Sequence, residues 1–414
     1  MEDTELYRHV LGLEKPWRVG RVQLDMKQER VDVWAVHEEG QSWPCPECGA
    51  ELAVYDHAPE RSWRHLDTCQ FKTFLHARIP RVACPTHGVR QVKVSWAEER
   101  SRFTALFERL AILVLQEASI EGARKILRIS WDEAWQIMGR AVKRGRARKP
   151  RRAIRKMGVD EKSVAKGHRY QTLIYDLEAS TVEHIEDDRR KESLDGYFSL
   201  LSPAEKGQIE AIATDIWDPY LASIREHVPE SEKKLVFDRY HLMAHMLKAV
   251  DSVRKQEHWE LKEGGRDLLT GTKYLWLYSR ENLPVARRGE FAELRKKRLR
   301  TGRAWAIKES LRELWDYQSL TWALKHFESW YGWAIRSRLK PVKAVARMFR
   351  KYLKNILTFF EHRITNAVSE ALNSTIQTIK KRACGFRNRE HFKIAIYFHC
   401  GGLNLLPATH KNVG

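Results

Sequence analysis

No stretch of this 414-residue chain approaches eighteen consecutive apolar residues. The best is the short Ala111–Leu115 segment, so no membrane-spanning helix is expected. The opening Met1-Glu2-Asp3-Thr4-Glu5 is acidic and lacks the basic-then-apolar order of a secretory signal, which disfavours export. Cysteine is scarce: six residues are too few for a disulfide scaffold, and the spacing of some suggests a metal instead. There is no internal repeat, and no low-complexity tract apart from one basic segment. Acid is in short supply relative to base, 54 Asp and Glu against 74 Lys and Arg, for a formal charge of +20. The natural partner of such a surface is a polyanion: nucleic acid or, failing that, an anionic membrane. Apolar types make up 43% of the chain, enough for a sizeable core, and the length implies more than one folding unit. Fifteen tryptophans are available both for that core and for base stacking.

The hydrophobic pattern divides the chain. Residues 1–100 read as short strands, with period-two alternation across Val22–Val36 and Phe71–Val82. From 101 to 145 the period changes. Phe103, Leu106, Phe107, Leu110, Leu113 and Val114 mark an amphipathic helix, followed by a helix over Ile120–Leu127 and a turn at Arg128-Ile129. Ser130 three before Glu133 is a capping box that starts a further helix to about Lys143. Nine of the fourteen residues from Lys143 to Lys156 are basic and none is acidic, so 146–156 reads as a linker unable to fold alone. Residues 157–240 look like α/β. Met157–Asp160 is a strand, Tyr170–Leu177 and Thr181–Glu186 form a hairpin, and the apolar runs Ile209–Asp215 and Lys234–Asp238 each end in an acid. Residues 241–360 are helical and carry seven tryptophans, and 361–414 contain a helix from about Asn366 to Lys381.

Two C-x-x-[C/H] pairs, Cys45-Pro-Glu-Cys48 and Cys84-Pro-Thr-His87, each place two ligands on one tight turn. Two such turns complete a tetrahedron around one structural Zn²⁺. His57 and His65 are weaker rival ligands, Cys69 reads as core, and Cys384 and Cys400 read as structural thiols. The helices at 120–143 have helix-turn-helix proportions, which would put Asp132, Gln136, Arg140, Lys143 and Arg144 on or near a face turned to the major groove. Arg146, Arg148, Lys149, Arg151 and Arg152 of the basic tract would follow a DNA backbone, because such a run repels itself unless phosphates neutralise it.

Asp160, Asp215 and Asp238 each close an apolar run. A carboxylate at the end of a buried strand meets desolvation unless a cation is near, and magnesium is the common answer. In the 366–381 helix Val368, Leu372, Ile376 and Ile379 make an apolar stripe, while Glu370, Asn373, Gln377 and Lys380 share another face suited to metal and phosphate.

Taken in order, these motifs resemble the ISL3 family of bacterial insertion-sequence transposases. They are the two cysteine pairs, the helix-turn-helix, Gly158-Val159-Asp160-Glu161, Thr214-Asp215-Ile216-Trp217-x-x-Tyr220, Asp238-Arg239-Tyr240-His241, Glu370-x-x-Asn373-x-x-Ile376, and Lys381-Arg382-x-x-Gly385-Phe386-Arg387-Asn388. The resemblance implies a multidomain α+β protein: a zinc-binding β-rich domain, a helix-turn-helix domain, and an RNase H-like α/β catalytic domain interrupted by a long helical insertion. It implies a DDE triad of Asp160, Asp215 and Glu370, spaced by 55 and 155 residues, holding two Mg²⁺ for which Mn²⁺ can substitute. Asp238 and His241 match a D-x-x-H signature beside the triad, and with Asn373 they take supporting roles. Asp238 is also the rival to Asp215 for the second position. Lys380, Lys381 and Arg382 would hold phosphates. The implied partners are terminal inverted repeats and target DNA, with at least a dimer when two ends are synapsed in a cytoplasmic, nucleoid-associated complex. A non-catalytic zinc and helix-turn-helix regulator, and a structure-specific nuclease on the same fold, are the competing classes.

Overall fold

The computed structural model describes residues 2–165, 169–364 and 367–408; Asn366, where the last long helix is expected to begin, lies outside them. After a helix at Asp3–Leu11, the N-terminal region forms a four-stranded sheet in the order Trp17–Asp25, Arg30–His37, Lys72–Ala77, Arg61–Arg64. The expected alternation is realised in Arg30–His37, where Val31, Val33 and Ala35 are buried. A three-stranded sheet of Val54–His57, Pro80–Cys84 and Gly88–Gln91 lies beside it. Trp17, Trp43, Trp63 and Trp96 close a core that belongs to this region alone.

Three helices follow: Ala105–Glu117, Ile120–Leu127 and Trp131–Arg148. Thr104 and Ser119 cap the first two, and Ser130 with Glu133 forms the capping box of the third. Arg128, at φ 54°, makes the sharp turn between the last two. The expected apolar stripe of the first helix needs correcting. Leu110 and Leu113 are exposed, and the buried face is Phe107, Ala111, Ile112 and Leu115, because the helices Ile120–Leu127 and Trp131–Arg148 pack on that side.

The basic tract is also corrected, since it is not a free linker. Its first part continues the third helix to Arg148. Beyond it, Lys149 pairs with Glu183 (2.6 Å), Arg151 with Glu205 (2.8 Å), Arg152 with Asp176, Arg155 with Glu210 (2.5 Å) and Lys156 with Glu178 (3.3 Å). The self-repulsion of the run is relieved by acids distant in sequence.

The largest sheet has five strands: β1 (Lys156–Ala165), β2 (Arg169–Asp176), β3 (Thr181–Asp187), β4 (Ala211–Thr214) and β5 (Leu235–Phe237). Their spatial order is β3-β2-β1-β4-β5; β1, β2 and β3 pair antiparallel, while β1, β4 and β5 run parallel. The two sheet faces go to different cores. Met157, Val159, Ile212, Leu235 and Phe237 pack with the helices that follow β5, whereas Tyr175, Ala211, Ala213 and Val236 pack with the three helices at 105–148 and with helices Ala367–Arg382 and Arg389–Cys400. The segment after β5 is helical from Arg239 to His362, interrupted by short loops. It shares one continuous core with the sheet, and Trp276, Trp305, Trp315 and Trp330 are buried in it. Trp259, Trp322 and Trp333 are exposed.

Candidate active site

Strand register places the acids. Gly158 of β1 lies opposite Ala213 of β4, and Thr214 of β4 opposite Phe237 of β5. Asp160 and Asp215 are each two residues past the Gly158–Ala213 pair, and Asp238 is one past Phe237, so all three stand at the carboxyl edge of adjacent parallel strands. Side chains alternate between faces along a strand. Gly158 and Asp160, Ala213 and Asp215, and Val236 and Asp238 therefore share the face turned toward helix Ala367–Arg382. β1 does not end at Asp160, as its sequence suggests; it continues beside β2 to Ala165.

Asp160, Asp215 and His241 bring one ligand atom each to within 4.8 Å of one another. Asp160 Oδ1 accepts the Glu161 N–H (2.7 Å), and Oδ2 accepts the Asn373 amide. Burial, and then the charge of Asp215, push the Asp160 carboxyl above its ordinary value despite those two donors. Two carboxylates converging in a desolvated corner are a donor set that a divalent cation relieves. His241 Nδ1 lies 2.9 Å from Asp215 Oδ2. Burial works against a charge on this imidazole, but its hydrogen bond to Asp215 and the fields of Asp215, Asp238 and Asp160 outweigh that and raise its pKa to about 9. Asp238 is buried and caps helix Arg239–Glu263, accepting the Tyr240 and His241 N–H groups. That cap aims His241 at Asp215 and leaves Asp238 as the residue that starts the helix.

Helix Ala367–Arg382 is docked by two contacts that sequence reading did not find. Gly158 lets it approach: a Cβ there would sit 2.7 Å from Ser369 Oγ and 2.9 Å from Leu177 Cδ2. Asn373 bridges two strands, donating to Asp160 and accepting the Tyr175 hydroxyl at 2.8 Å. Asn373 is therefore buried, not on the open face expected for it. Glu370 is exposed and stands outside the Asp160–Asp215–His241 group. It lies one turn before Asn373 and lines, with Asp238, Tyr240 and Phe359, an adjoining cleft of about 400 Å³. A further pair beside the acids, Glu161 with Arg189 at 2.8 Å, is backed by Trp217, whose ring centre is 4.0 Å from the guanidinium. No local pattern in the sequence marks Tyr175, Ser369 or Arg189.

Cys45, Cys48, Cys84 and His87 converge in the N-terminal region. Cys48 and Cys84 sulfurs are 3.7 Å apart, and His87 Nδ1 is 3.5 Å from Cys84 and 3.9 Å from Cys45. Zn–S bonds of about 2.3 Å in a tetrahedron set sulfurs about 3.8 Å apart, so the residues fit a structural zinc. His57 and His65 are not in this group. His57 faces His37, and His65 is buried with Nδ1 2.9 Å from Thr104 Oγ1. Cys69 is exposed, not core, as is Cys384; Cys400 is buried.

The expected DNA-facing residues separate into two groups. Gln136, Lys143, Arg146, Arg148, Lys381 and Arg382 are exposed. Arg146 lies over Tyr397, Arg148 donates to the Leu406 carbonyl, and Lys380 donates to the Ser163 carbonyl at 2.7 Å. Arg140 and Arg144 are scaffold. Glu108, 1% exposed, accepts Arg140 at 2.6 Å and Arg144 at 3.1 Å, and Arg144 also pairs with Glu98 (2.6 Å) and donates to Leu405 O. The inner face of their helix lies on helix Arg389–Cys400, with Trp135 stacked on His391 at 4.2 Å.

Comparison with known proteins gives three matches in chain order. A family described as a zinc-finger of transposase IS204/IS1001/IS1096/IS1165 matches residues 41–87, the helix-turn-helix domain of transposase family ISL3 matches 92–142, and a family described as transposase matches 157–396. The chain is 27% identical over 357 residues to the transposase for insertion sequence element IS1001 of Bordetella parapertussis, covering 85% of this chain and 87% of that protein. It is 24% identical over 442 aligned positions to the transposase for IS1557 of Mycobacterium tuberculosis H37Rv, covering 100% and 99%.

Proposed function

The chain belongs to the ISL3 family of insertion-sequence transposases, and from that premise we propose that it cuts DNA at the ends of its element and joins the freed 3′-hydroxyl to target DNA with a DDE triad on an RNase H-like sheet. The strand order β3-β2-β1-β4-β5, with only β2 antiparallel to both its neighbours, supports that fold. The observation that carries the reading is the convergence of acids at one edge of that sheet. Asp160 and Asp215 meet on the face toward the helix of Glu370, and Asn373 of that helix is bonded to Asp160 itself.

Asp160 and Asp215 would hold Mg²⁺ from the sheet and Glu370 from the helix, as a pair of ions. When bound, magnesium polarises the phosphoryl oxygen and eases ionisation of the attacking hydroxyl. The protein's own groups do the positioning. Asn373 orients the Asp160 carboxylate, His241 holds Asp215, and Asp238 fixes the start of the helix that carries His241. Lys380, Lys381 and Arg382 line the approach from the Glu370 helix and hold phosphates there. Water first cleaves the phosphodiester, and the resulting 3′-hydroxyl then attacks a target phosphorus and displaces a second 3′-oxygen. No covalent protein–DNA bond is required, so no serine or tyrosine nucleophile is assigned. Gln136, Lys143 and Arg146 contribute to reading the element ends with the zinc-bearing region, and two copies meet when two ends are synapsed.

Asp160→Asn tests the reading. It is expected to abolish Mg²⁺- or Mn²⁺-dependent nicking of end-containing DNA while leaving binding intact, because binding is mostly cationic. Normal cutting by that variant rules out the assignment. Precleaved ends offered with a target plasmid separate joining from simple nuclease action.

A further inference from the structure

In the dense basic tract Lys143, Arg146 and Arg148 have no carboxylate partner among the described residues, but the part beyond them is neutralised. Every cation from Lys149 to Lys156 has a carboxylate partner. Residues 336–354 carry eight Lys and Arg and no acid. At their centre is helix Lys340–Lys351, which is sharply two-faced. Val342, Val345, Ala346 and Phe349 are buried on one side. Lys340, Lys343, Arg347 and Lys351 recur at three and four on the opposite side, so they form a single stripe. Among the described residues, none of the four has a carboxylate within ion-pair distance; Arg350, at the stripe's margin, is the one cation of the helix paired with an acid, Glu328 at 2.5 Å. Arg338 and Lys354 extend the stripe at its two ends and are exposed.

The stripe ends next to segments that adjoin two of the acids. Tyr352, directly after it, donates to Asp218 at 3.3 Å and packs edge-on against Phe237 at 5.5 Å. Asp218 is three residues past Asp215, and Phe237 immediately precedes Asp238. Four cations along this twelve-residue helix span about 16 Å. One strand of B-DNA presents a phosphate about every 3.4 Å of axis, so that length faces about five phosphates.

We infer that the Lys340–Lys351 helix is a second DNA-binding surface, a sequence-independent track for the backbone of the duplex that runs out from the cleaved phosphate. Like charges at this spacing repel one another, and among the described residues no ion pair offsets them; Lys351 alone lies over an aromatic ring, that of Tyr352 at 4.7 Å. A regular row of phosphates offsets them, and the row begins beside the carboxylate edge where a scissile phosphate would lie. The duplex role rests on the transposase reading given above; the track itself is tested apart from catalysis.

The test uses the zinc-loaded full chain carrying Asp160→Asn, without Mg²⁺ or Mn²⁺, so that no cleavage intervenes. Binding to a fluorescent random-sequence duplex is followed by anisotropy over a range of salt concentrations. Replacing Lys340, Lys343, Arg347 and Lys351 together by Gln, which keeps helix propensity, is expected to reduce the slope of log K against log salt by about 3–4, at about 0.9 per phosphate contact. The Arg151→Gln, Arg155→Gln pair serves as control and is expected to change the slope by less than about 1, since both guanidiniums are already paired. An unchanged slope in a quadruple variant with unchanged circular dichroism overturns the track. So does a loss confined to binding of anionic phosphatidylserine vesicles. A reduced slope, alongside failure of the chain with Asp160 intact to nick end DNA with Mg²⁺, leaves the track standing and removes the catalytic reading.

Discussion

Gly158→Ala isolates the link between fold and chemistry. Gly158 lies two residues before Asp160, directly under the helix that carries Glu370. An added methyl would sit 2.7 Å from Ser369 Oγ and 2.9 Å from Leu177 Cδ2, where ordinary contact begins at 3.4 Å. The leucine methyl is the end of a flexible side chain and can turn away. Ser369 Oγ turns only about χ1 on a buried helix face, so with that rotamer held the helix must retreat by about 0.7 Å to restore contact. Overpacking of this kind costs about 1–3 kcal/mol, which leaves a protein of this size folded. The chemistry is less tolerant, since a misplacement of about 1 Å is worth about 100-fold in rate. Nicking of end DNA by Gly158→Ala is therefore expected to fall about 10- to 100-fold while duplex affinity stays within about 2-fold. The structure also supplies the rescue. Among the described residues Ser369 Oγ is buried without a hydrogen-bond partner, so Ser369→Ala removes the clashing atom and breaks no bond to them. Ser369→Ala alone is expected to cut normally, and the double variant to recover most of the loss. A Gly158→Ala protein that cuts like its parent, or a double variant as slow as the single, refutes the claim that this contact sets the position of Glu370.

Two further outcomes concern the N-terminal region. Cys45→Ser with Cys48→Ser is expected to release one equivalent of zinc per chain by atomic absorption and to lower both the unfolding midpoint and DNA affinity; full zinc content in that variant would exclude the four-residue site. His65 is buried, and burial, followed by the charge of Arg64, brings its pKa down from 6.5 to about 4. The folded state then binds this proton later than the unfolded state does, so stability is intact above about pH 6.5 and is lost progressively as pH falls to about 4, by about 3 kcal/mol in all. His65→Asn, which does not titrate, is expected to flatten the difference in unfolding midpoint between pH 7 and pH 4.5. Parallel pH profiles for the two proteins would mean that His65 is already neutral when unfolded or still charged when folded.

What the sequence made legible is local. The capping box at Ser130 and Glu133, the helix at Ile120–Leu127, and the paired ligands Cys45–Cys48 and Cys84–His87 depend on spacings within a few residues, and they appear in the fold as read. The apolar runs ending at Asp215 and Asp238 likewise mark strand ends, because alternation and termination are local properties. What escaped depends on pairing between distant segments. Nothing near Gly158 announces Ser369, 211 residues away. Nothing in the pattern of helix Ala367–Arg382 turns Asn373 inward, since that follows from an acceptor on β1 and a hydroxyl on β2. The exposed Leu110 and Leu113 show the same limit: a helix as apolar as Ala105–Glu117 offers two plausible stripes, and its neighbours choose between them.

Charge behaves differently again, and here local density points the wrong way. The run from Lys143 to Lys156 has the highest cation density in the chain, yet its second half lies along β2, β3 and the chain leading into β4, where Asp176, Glu178, Glu183, Glu205 and Glu210 meet it one for one. Arg140 and Arg144, on the supposed recognition helix, are absorbed by Glu98 and the buried Glu108; once desolvated, such a group loses about 3–5 kcal/mol if its partner is removed, so those arginines are not free to leave for phosphate. A net charge of +20 therefore fixes the class of partner without fixing its place. The place is set by which cations the fold fails to satisfy. On helix Lys340–Lys351 the failure is regular: four cations on one face, an apolar face behind them, and one end joined through Tyr352 to Asp218 and Phe237, near Asp215 and Asp238 in sequence. A surface meant only for solubility needs no such order, because scattered charges serve that purpose equally well. A surface that must follow a backbone of evenly spaced phosphates does need it.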